Sequence, residues 1–339
     1  MYAWHVAQAA QRRAGGGRDA SADSRCPICG LPLRASHVRG RDQLITGDGP
    51  FAVMECAACH YGVTEPQLSE EELARYYPIE YYDFQGYSGA QSQNPLQRLL
   101  EWFRSWSAAR RYERPPYLLD GVVPGRMLDV GCGSGDLLAH FAKRGWEVEG
   151  IEPSASAVAA AARRGVRVHE GTLHDQPWQA GSFALITFQH ALEHIVDPLD
   201  ALERARALLA PGGLLVITVP NWSSWQRRLL FRSRWSALDL PRHQQHFSPR
   251  ALERLAASLG LRVRAVGTSS SAPVAAYSLH YALFGRLMPG WRLWLSYALG
   301  ILVLPLVFLG DRVGGGDACF VVMEAPPQDV SGGPAANRS

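Results

Sequence analysis

From Arg126 onward the chain alternates short apolar runs with amphipathic stretches, and that alternation restricts it to one class of fold. The runs RMLDVG, EVEGIEP, VRVHEG, FALITFQ and GGLLVITVP read as strands, and DLLAHFAKRG, SAVAAAARRG and DALERARALLAPG, between most of them, read as helices. Such alternation predicts an α/β domain with a parallel sheet covered on both faces. A helix SPRALERLAASLG, a sixth strand LRVRAVGTS, an apolar region over 272–310 and a last strand ACFVVMEAP complete the pattern.

The first of these strands runs into MLDVGCGSGD, which places Gly131, Gly133 and Gly135 between a strand and a helix. Glycines there let the backbone turn sharply and approach a ligand. The spacing is G-x-G-x-G rather than G-x-G-x-x-G, and no G-K-[ST] follows, so neither a dinucleotide nor a triphosphate is indicated. The second strand ends in Glu152, 23 residues after Asp129, where such folds hold ribose hydroxyls.

LDVGCGSG, GIEPS, SFALITFQHALEHIVDP, LLAPGGLLVITVPN and PRHQQHFSPRALERLAASLGL resemble motifs of the class I S-adenosylmethionine-dependent methyltransferases, over about residues 120 to 325. The resemblance implies a Rossmann-like seven-stranded sheet whose last strand is antiparallel and inserted beside the sixth. It implies S-adenosylmethionine as cofactor, with Asp129, Gly131, Gly133 and Gly135 on the methionine and ribose side. Glu152 would hold the ribose hydroxyls, and Thr172 and Leu173 would flank the adenine. Two positions depart from the family: Thr172 stands where an acid is usual, and Ala184 replaces the acid of a common SFD.

Methyl transfer needs alignment of acceptor, methyl and leaving sulfur, and often removal of a proton. The candidate bases are His190, Glu193 and His194 in FQHALEHIVDP, which would share a helix face, with His243 and His246 in PRHQQHFS behind them. H-x-x-E-H also spells an inverted zinc-protease pattern, which the surrounding strand and glycine loop contradict. RPPY at 114–117 precedes the first strand and so cannot serve as the proline–proline–aromatic motif of base-amino methyltransferases, which follows the fourth.

Two C-x-x-C pairs, Cys26 with Cys29 and Cys56 with Cys59, are 26 residues apart. Four thiolates in two knuckles suit a closed structural zinc. CAACH also matches a haem attachment site, and a disulfide pair is the third reading, disfavoured by the reducing compartment that the N-terminal sequence suggests. Similar four-cysteine modules precede the catalytic domain in some sugar C-methyltransferases and ribosomal-RNA methyltransferases.

LWLSYALGILVLPLVFLG, residues 293–310, contains no charge, yet it lies between two strands that must be neighbours in one sheet. A single membrane crossing is therefore excluded. The expectation is an apolar helical hairpin over 272–312, with both ends on one side, either dipping into one leaflet or packing on the protein. NWSSWQRRLLFRSRW (221–235) interleaves aromatics with arginines, as does the amphipathic helix expected over 94–117, and such surfaces suit anionic headgroups. A net charge of +3 is too small to argue for nucleic acid.

The expected organisation is a mobile arm (1–24), a zinc-ribbon module (25–66), a connector and amphipathic helix (67–117), the methyltransferase domain (118–326) and a polar tail (327–339). The expected function is O-methylation of a lipid-linked, polyprenylated, quinol or saccharide small molecule. Its expected place is the cytoplasm, at the inner face of the membrane. Ribosomal-RNA methylation and a non-catalytic cofactor-binding scaffold are the alternatives.

Overall fold

The computed structural model describes residues 25–78, 116, 117, 119, 121–288 and 291–327. The arm, most of the connector, nearly all of the helix expected over 94–117 and most of the tail lie outside the described residues.

Seven strands form the main sheet: β4 (Arg126–Val130), β5 (Glu147–Glu152), β6 (Arg167–Glu170), β7 (Phe183–Gln189), β8 (Leu209–Pro220), β10 (Arg262–Ser269) and β11 (Ala318–Glu324). Their order is β10-β11-β8-β7-β4-β5-β6. Pairing is parallel from β8 to β6, and β11 runs antiparallel to both its neighbours. This is the Rossmann-like methyltransferase sheet that the sequence implies. Its middle strands are buried on both sides, with Leu128, Ile186, Phe188, Leu215 and Ile217 at 0 % exposure, as a sheet covered by helices requires.

The helices that flank it begin where their sequences signal. Asp197 caps α4 (Pro198–Leu208) through the amide of Asp200, and Ser248 caps α5 (Pro249–Ser258) through Ala251, each with proline in the first turn. One boundary differs from expectation. DALERARALLAPG is helical only to Leu208, because Leu209 turns extended (ψ 132°) and β8 starts there, its pairing with β7 shifting register between Phe183 and Leu185.

The N-terminal module contributes β1 (Leu33–Gly40), β2 (Phe51–Cys56) and β3 (Gly62–Glu65), an antiparallel meander followed by the short helix α1 (Glu70–Ala74). A fourth strand, β9 (Gln245–His246), comes from the main domain and pairs with β3 at Gly62↔His246 and Val63↔Gln245. Gly62 allows that approach, since a Cβ there would stand 3.3 Å from the His246 Cβ and 2.9 Å from Val53.

α6 (Ala272–Phe284) and α7 (Trp291–Arg312) form the expected hairpin, crossing where a Cβ on Gly300 would meet the Ala276 Cβ at 3.1 Å. Its base is pinned by Asp311, which accepts from the Ser270 amide and hydroxyl, and by Asp317, which accepts from the Ser271 amide. Its turn packs on the protein: the Leu287 amide donates to the Gln43 carbonyl at 2.8 Å. No helix among the described residues is long and apolar enough to cross a membrane.

The segment 221–235 is not the exposed aromatic face that its composition suggests. Trp222 and Trp235 are each 1 % exposed, packed with Val38, Phe51, Tyr76 and Leu238 where the module meets the domain. Arg227 is buried with its guanidinium 3.6 Å from the Trp222 ring centre. Filling that junction takes both indoles away from solvent, and the exposed side of the segment is Arg228, Leu229, Leu230, Arg232 and Arg234 instead.

Candidate functional site

Beyond β4 the chain turns through Gly131 (φ 70°), Gly133 (φ 53°) and Gly135 (φ 76°), all in the left-handed region, before α2 (Asp136–Ala142). Gly131 is also fixed by space, because a Cβ there would lie 2.6 Å from the Ala191 Cβ. Glu152, at the end of β5 and just before α3 (Ala155–Ala162), faces the same turn: its carboxylate accepts from the amides of Gly133 and Ser154, both at 3.0 Å. Burial raises the Glu152 pKa, with those two amides opposing it. Asp129 is 2 % exposed and accepts from the Thr187 hydroxyl at 2.5 Å. Burial pushes its carboxyl up to about 7, against that hydrogen bond. A buried and a half-buried carboxylate at a glycine turn match the ammonium and hydroxyls of S-adenosylmethionine, so the cofactor that the sequence implies fits these residues.

Past β6, Leu173 is buried and Thr172 exposed. Asp175 accepts from the Thr172 amide at 2.7 Å and from its hydroxyl at 2.8 Å. The acid absent at 172 is thus present three residues later, beside the same backbone.

His190, Glu193 and His194 sit just after β7, one residue before and two and three residues after the Ala191 that stands against Gly131. HALEH is not a continuous helix. His190 adopts φ 51° and Leu192–His194 makes one 3-10 turn, so the expected shared helix face is replaced by a tight loop. A non-glycine residue held at positive φ costs energy and recurs at functional sites. The loop still gathers its side chains. Glu193 is 1 % exposed, with His190 Nδ1 at 3.5 Å and His243 Nε2 at 4.0 Å from its Oε1. Neither Glu193 oxygen has a hydrogen-bond partner of good geometry among the described residues. Burial alone would raise the Glu193 pKa, but His190, His194 and His243 bring it below the usual carboxylate value.

His243 makes a 3.0 Å contact from Nδ1 to the Ala237 carbonyl, which fixes the proton on Nδ1 and leaves the Nε2 lone pair facing Glu193. Burial, then neighbouring His194, pushes its pKa down to about 4. His194 Nδ1 lies 3.0 Å from the Tyr77 hydroxyl and 3.2 Å from the Arg242 carbonyl. Donor atoms of Glu193, His194 and His243 lie within 4.8 Å of one another, a set that could hold a divalent cation.

His246 is held apart from this group, in β9. Its Nε2 is 2.9 Å from the Thr64 hydroxyl and its ring lies 4.9 Å from that of Trp222. Tyr77, Asp239 and Thr64, which complete the surroundings, carry no motif; the only sequence hint is that Asp239 and Arg242 are charges inside an otherwise apolar SALDLPRH.

The four cysteines converge. Sγ separations are 3.5 Å (Cys26–Cys59), 3.4 Å (Cys29–Cys56) and 3.9 Å (Cys29–Cys59). Tetrahedral zinc with Zn–S of about 2.3 Å requires about 3.8 Å between sulfurs. The two knuckles repeat one backbone pattern: Cys26 N to Leu31 O and Gly30 N to Cys26 O, then Cys56 N to Tyr61 O and His60 N to Cys56 O. The residue at the sharp turn is left-handed in both, Gly30 at φ 72° and His60 at φ 55°. A hydrogen bond from Cys59 brings the Cys26 thiol down to about 5, against burial. The donors fit zinc. Cys132 and Cys319 are buried elsewhere, as small core residues.

The profile of a methyltransferase-domain family matches residues 95–266. Among curated relatives, the ubiquinone biosynthesis O-methyltransferase of Rhodopseudomonas palustris (strain BisB5) is 28 % identical over 215 residues, covering 60 % of this chain and 84 % of the relative. The protein of the same description from Bradyrhizobium sp. (strain ORS 278) is 34 % identical over 139 residues, 39 % of this chain, which spans 54 % of that relative's length. Among solved structures, the geranyl diphosphate C-methyltransferase of Streptomyces coelicolor A3(2) superposes with a TM-score of 0.46 at 18 % identity, over 69 % of this chain and 84 % of that one.

Proposed function

Because the chain belongs to the methyltransferase-domain family, we propose that it methylates a hydroxyl oxygen on a small acceptor, of the quinol or lipid-linked type, with His190 taking the hydroxyl proton. S-adenosylmethionine supplies the methyl group as an electrophile on sulfur. The observation that carries the reading is the buried Glu193 carboxylate behind His190, two residues after the Ala191 that stands against Gly131. With Glu193 anionic, the proton of His190 rests on Nδ1, and Nε2 is left as the base on a side chain still 41 % exposed to an arriving acceptor. His190 Nε2 would take the hydroxyl proton, while the cofactor held at the glycine turn would supply the methyl carbon and keep its sulfur as the leaving group.

The names of the relatives favour a quinol precursor, and the hairpin with the exposed Leu229 and Leu230 favours work at the inner face of the cytoplasmic membrane. The four cysteines hold structural zinc in the 25–66 module. A second reading rests on the donor set Glu193, His194 and His243, which could hold a divalent ion that acidifies the hydroxyl. Transfer that persists in EDTA excludes it.

Purified protein with methyl-labelled S-adenosylmethionine and a fractionated cell extract tests the proposal. Label in the organic-extractable fraction, as an alkali-stable ether, supports it. Label only in RNA would replace it with the ribosomal-RNA alternative, and no transfer at all would leave a cofactor-binding scaffold.

A further inference from the structure

Where the module, the 221–235 segment and the hairpin turn meet, the surface forms a cleft of about 480 Å³. Four guanidinium side chains from three separated segments line it: Arg39 and Arg41, Arg234, and Arg286. All four residues are exposed. Among the lining residues the sole carboxylate is Asp42, and its charge is turned inward. It accepts from the amides of Leu44, Ile45 and Thr46 and from buried Arg242. Among the described residues the cleft therefore presents positive charge with no facing carboxylate, on a chain whose net charge is only +3.

The cleft is also built rather than incidental. Gln43 ties its walls together, the side-chain amide donating to the Ser233 carbonyl at 2.9 Å and the main-chain carbonyl accepting from the Leu287 amide at 2.8 Å. Arg234 is held by the Tyr281 carbonyl at 2.8 Å, at the end of α6. The same segments carry exposed apolar side chains among the described residues: Leu229 (72 % exposed) and Leu230 (48 %) in 221–235, and Leu283 (52 %) in α6.

Guanidinium forks match phosphate oxygens two at a time, and exposed leucines on the segments that carry them match acyl chains. Resting on the membrane-surface reading above, we infer that this cleft binds the phosphate headgroup of an anionic membrane lipid and so seats the hairpin face on the bilayer. The acceptor then reaches the protein from the lipid side.

The test is sedimentation of the full-length protein with phosphatidylcholine vesicles and with mixed phosphatidylcholine–phosphatidylglycerol vesicles. Binding should require phosphatidylglycerol and weaken as salt rises. The double variant Arg39→Gln/Arg286→Gln should bind about thirtyfold more weakly, each basic residue at a headgroup layer being worth about fivefold. Arg167→Gln/Arg250→Gln removes the same charge elsewhere and should lose little. Equal loss in both variants, or no binding to either vesicle, overturns the inference. Binding of inorganic diphosphate without vesicle association overturns the lipid as occupant. Label transfer by the unaltered protein to a water-soluble hydroxylated acceptor, without vesicles, tests the enzymatic reading separately.

Discussion

Arg242→Met should destabilise the protein by about 3–5 kcal/mol at neutral pH, the cost of stripping a buried ion pair of one partner. Arg242 is 0 % exposed. It donates to Asp42 at 2.8 Å, to Asp239 at 2.6 Å and to the Tyr76 carbonyl at 3.3 Å. Methionine fills similar volume but strips the buried Asp42 and the half-buried Asp239 of that countercharge. Burial alone would raise both of their pKa values; the guanidinium outweighs it and holds both below the usual range. A depressed folded pKa contributes stability that is present above the unfolded value of about 3.9 and is lost as pH falls. Without the arginine, burial is unopposed by that charge, and the orphaned carboxyls take up protons more readily when folded. The gap between the two proteins should therefore be widest near pH 7 and narrow toward pH 5. Urea unfolding at both pH values measures it. A loss under about 1 kcal/mol at pH 7, or a gap that widens on acidification, would refute the reasoning.

Gly131→Ala should abolish S-adenosylmethionine binding by calorimetry, since the new Cβ would sit 2.6 Å from the Ala191 Cβ at φ 70°. Gly133→Val, at φ 53°, should do the same, and unchanged affinity in both would remove the basis of the cofactor assignment. His190→Ala should lower kcat by about 10²–10⁴ with cofactor affinity intact; a change in KM alone would move the base elsewhere. Metal analysis should find about one zinc per chain, lost in Cys56→Ser together with a large fall in unfolding temperature, because structural zinc contributes folding free energy directly.

The sheet was legible in the sequence because its inner strands β4, β7, β8 and β11 are buried apolar runs and the exposed edge strands β6 and β10 each follow a helix, signals that are local. MLDVGCGSGD and Glu152 could be placed for the same reason, one lying at a strand end and the other in its neighbour. The acceptor side was only half legible. His190, Glu193 and His194 stand close in the chain, but their geometry depends on His190 adopting φ 51°, which alternation and spacing do not encode. Trp222 and Trp235 misled because interleaved arginines and aromatics look alike whether the rings line a membrane or fill a junction. The partner that buries them, the N-terminal module, is remote in sequence.

That remoteness bears on what the module does. A zinc ribbon that merely capped the domain would meet it through side chains alone. Here β3 pairs with β9, the strand next to His243 and Gln244, and the Thr64 amide donates to the Gln244 carbonyl at 3.0 Å. The Thr64 hydroxyl donates to the His243 carbonyl at 2.6 Å, and the Gln244 amide donates to the Glu193 carbonyl at 2.9 Å. Cys59 completes the chain of contacts, its carbonyl accepting from the Ser248 hydroxyl that caps α5. Few bonds separate a cysteine knuckle from the carboxylate behind His190, and the path through the Thr64 and Gln244 amides is main-chain, which no single side-chain change removes. Loss of metal should therefore loosen the acceptor wall before it disturbs the glycine turn, which the module does not touch among the contacts described.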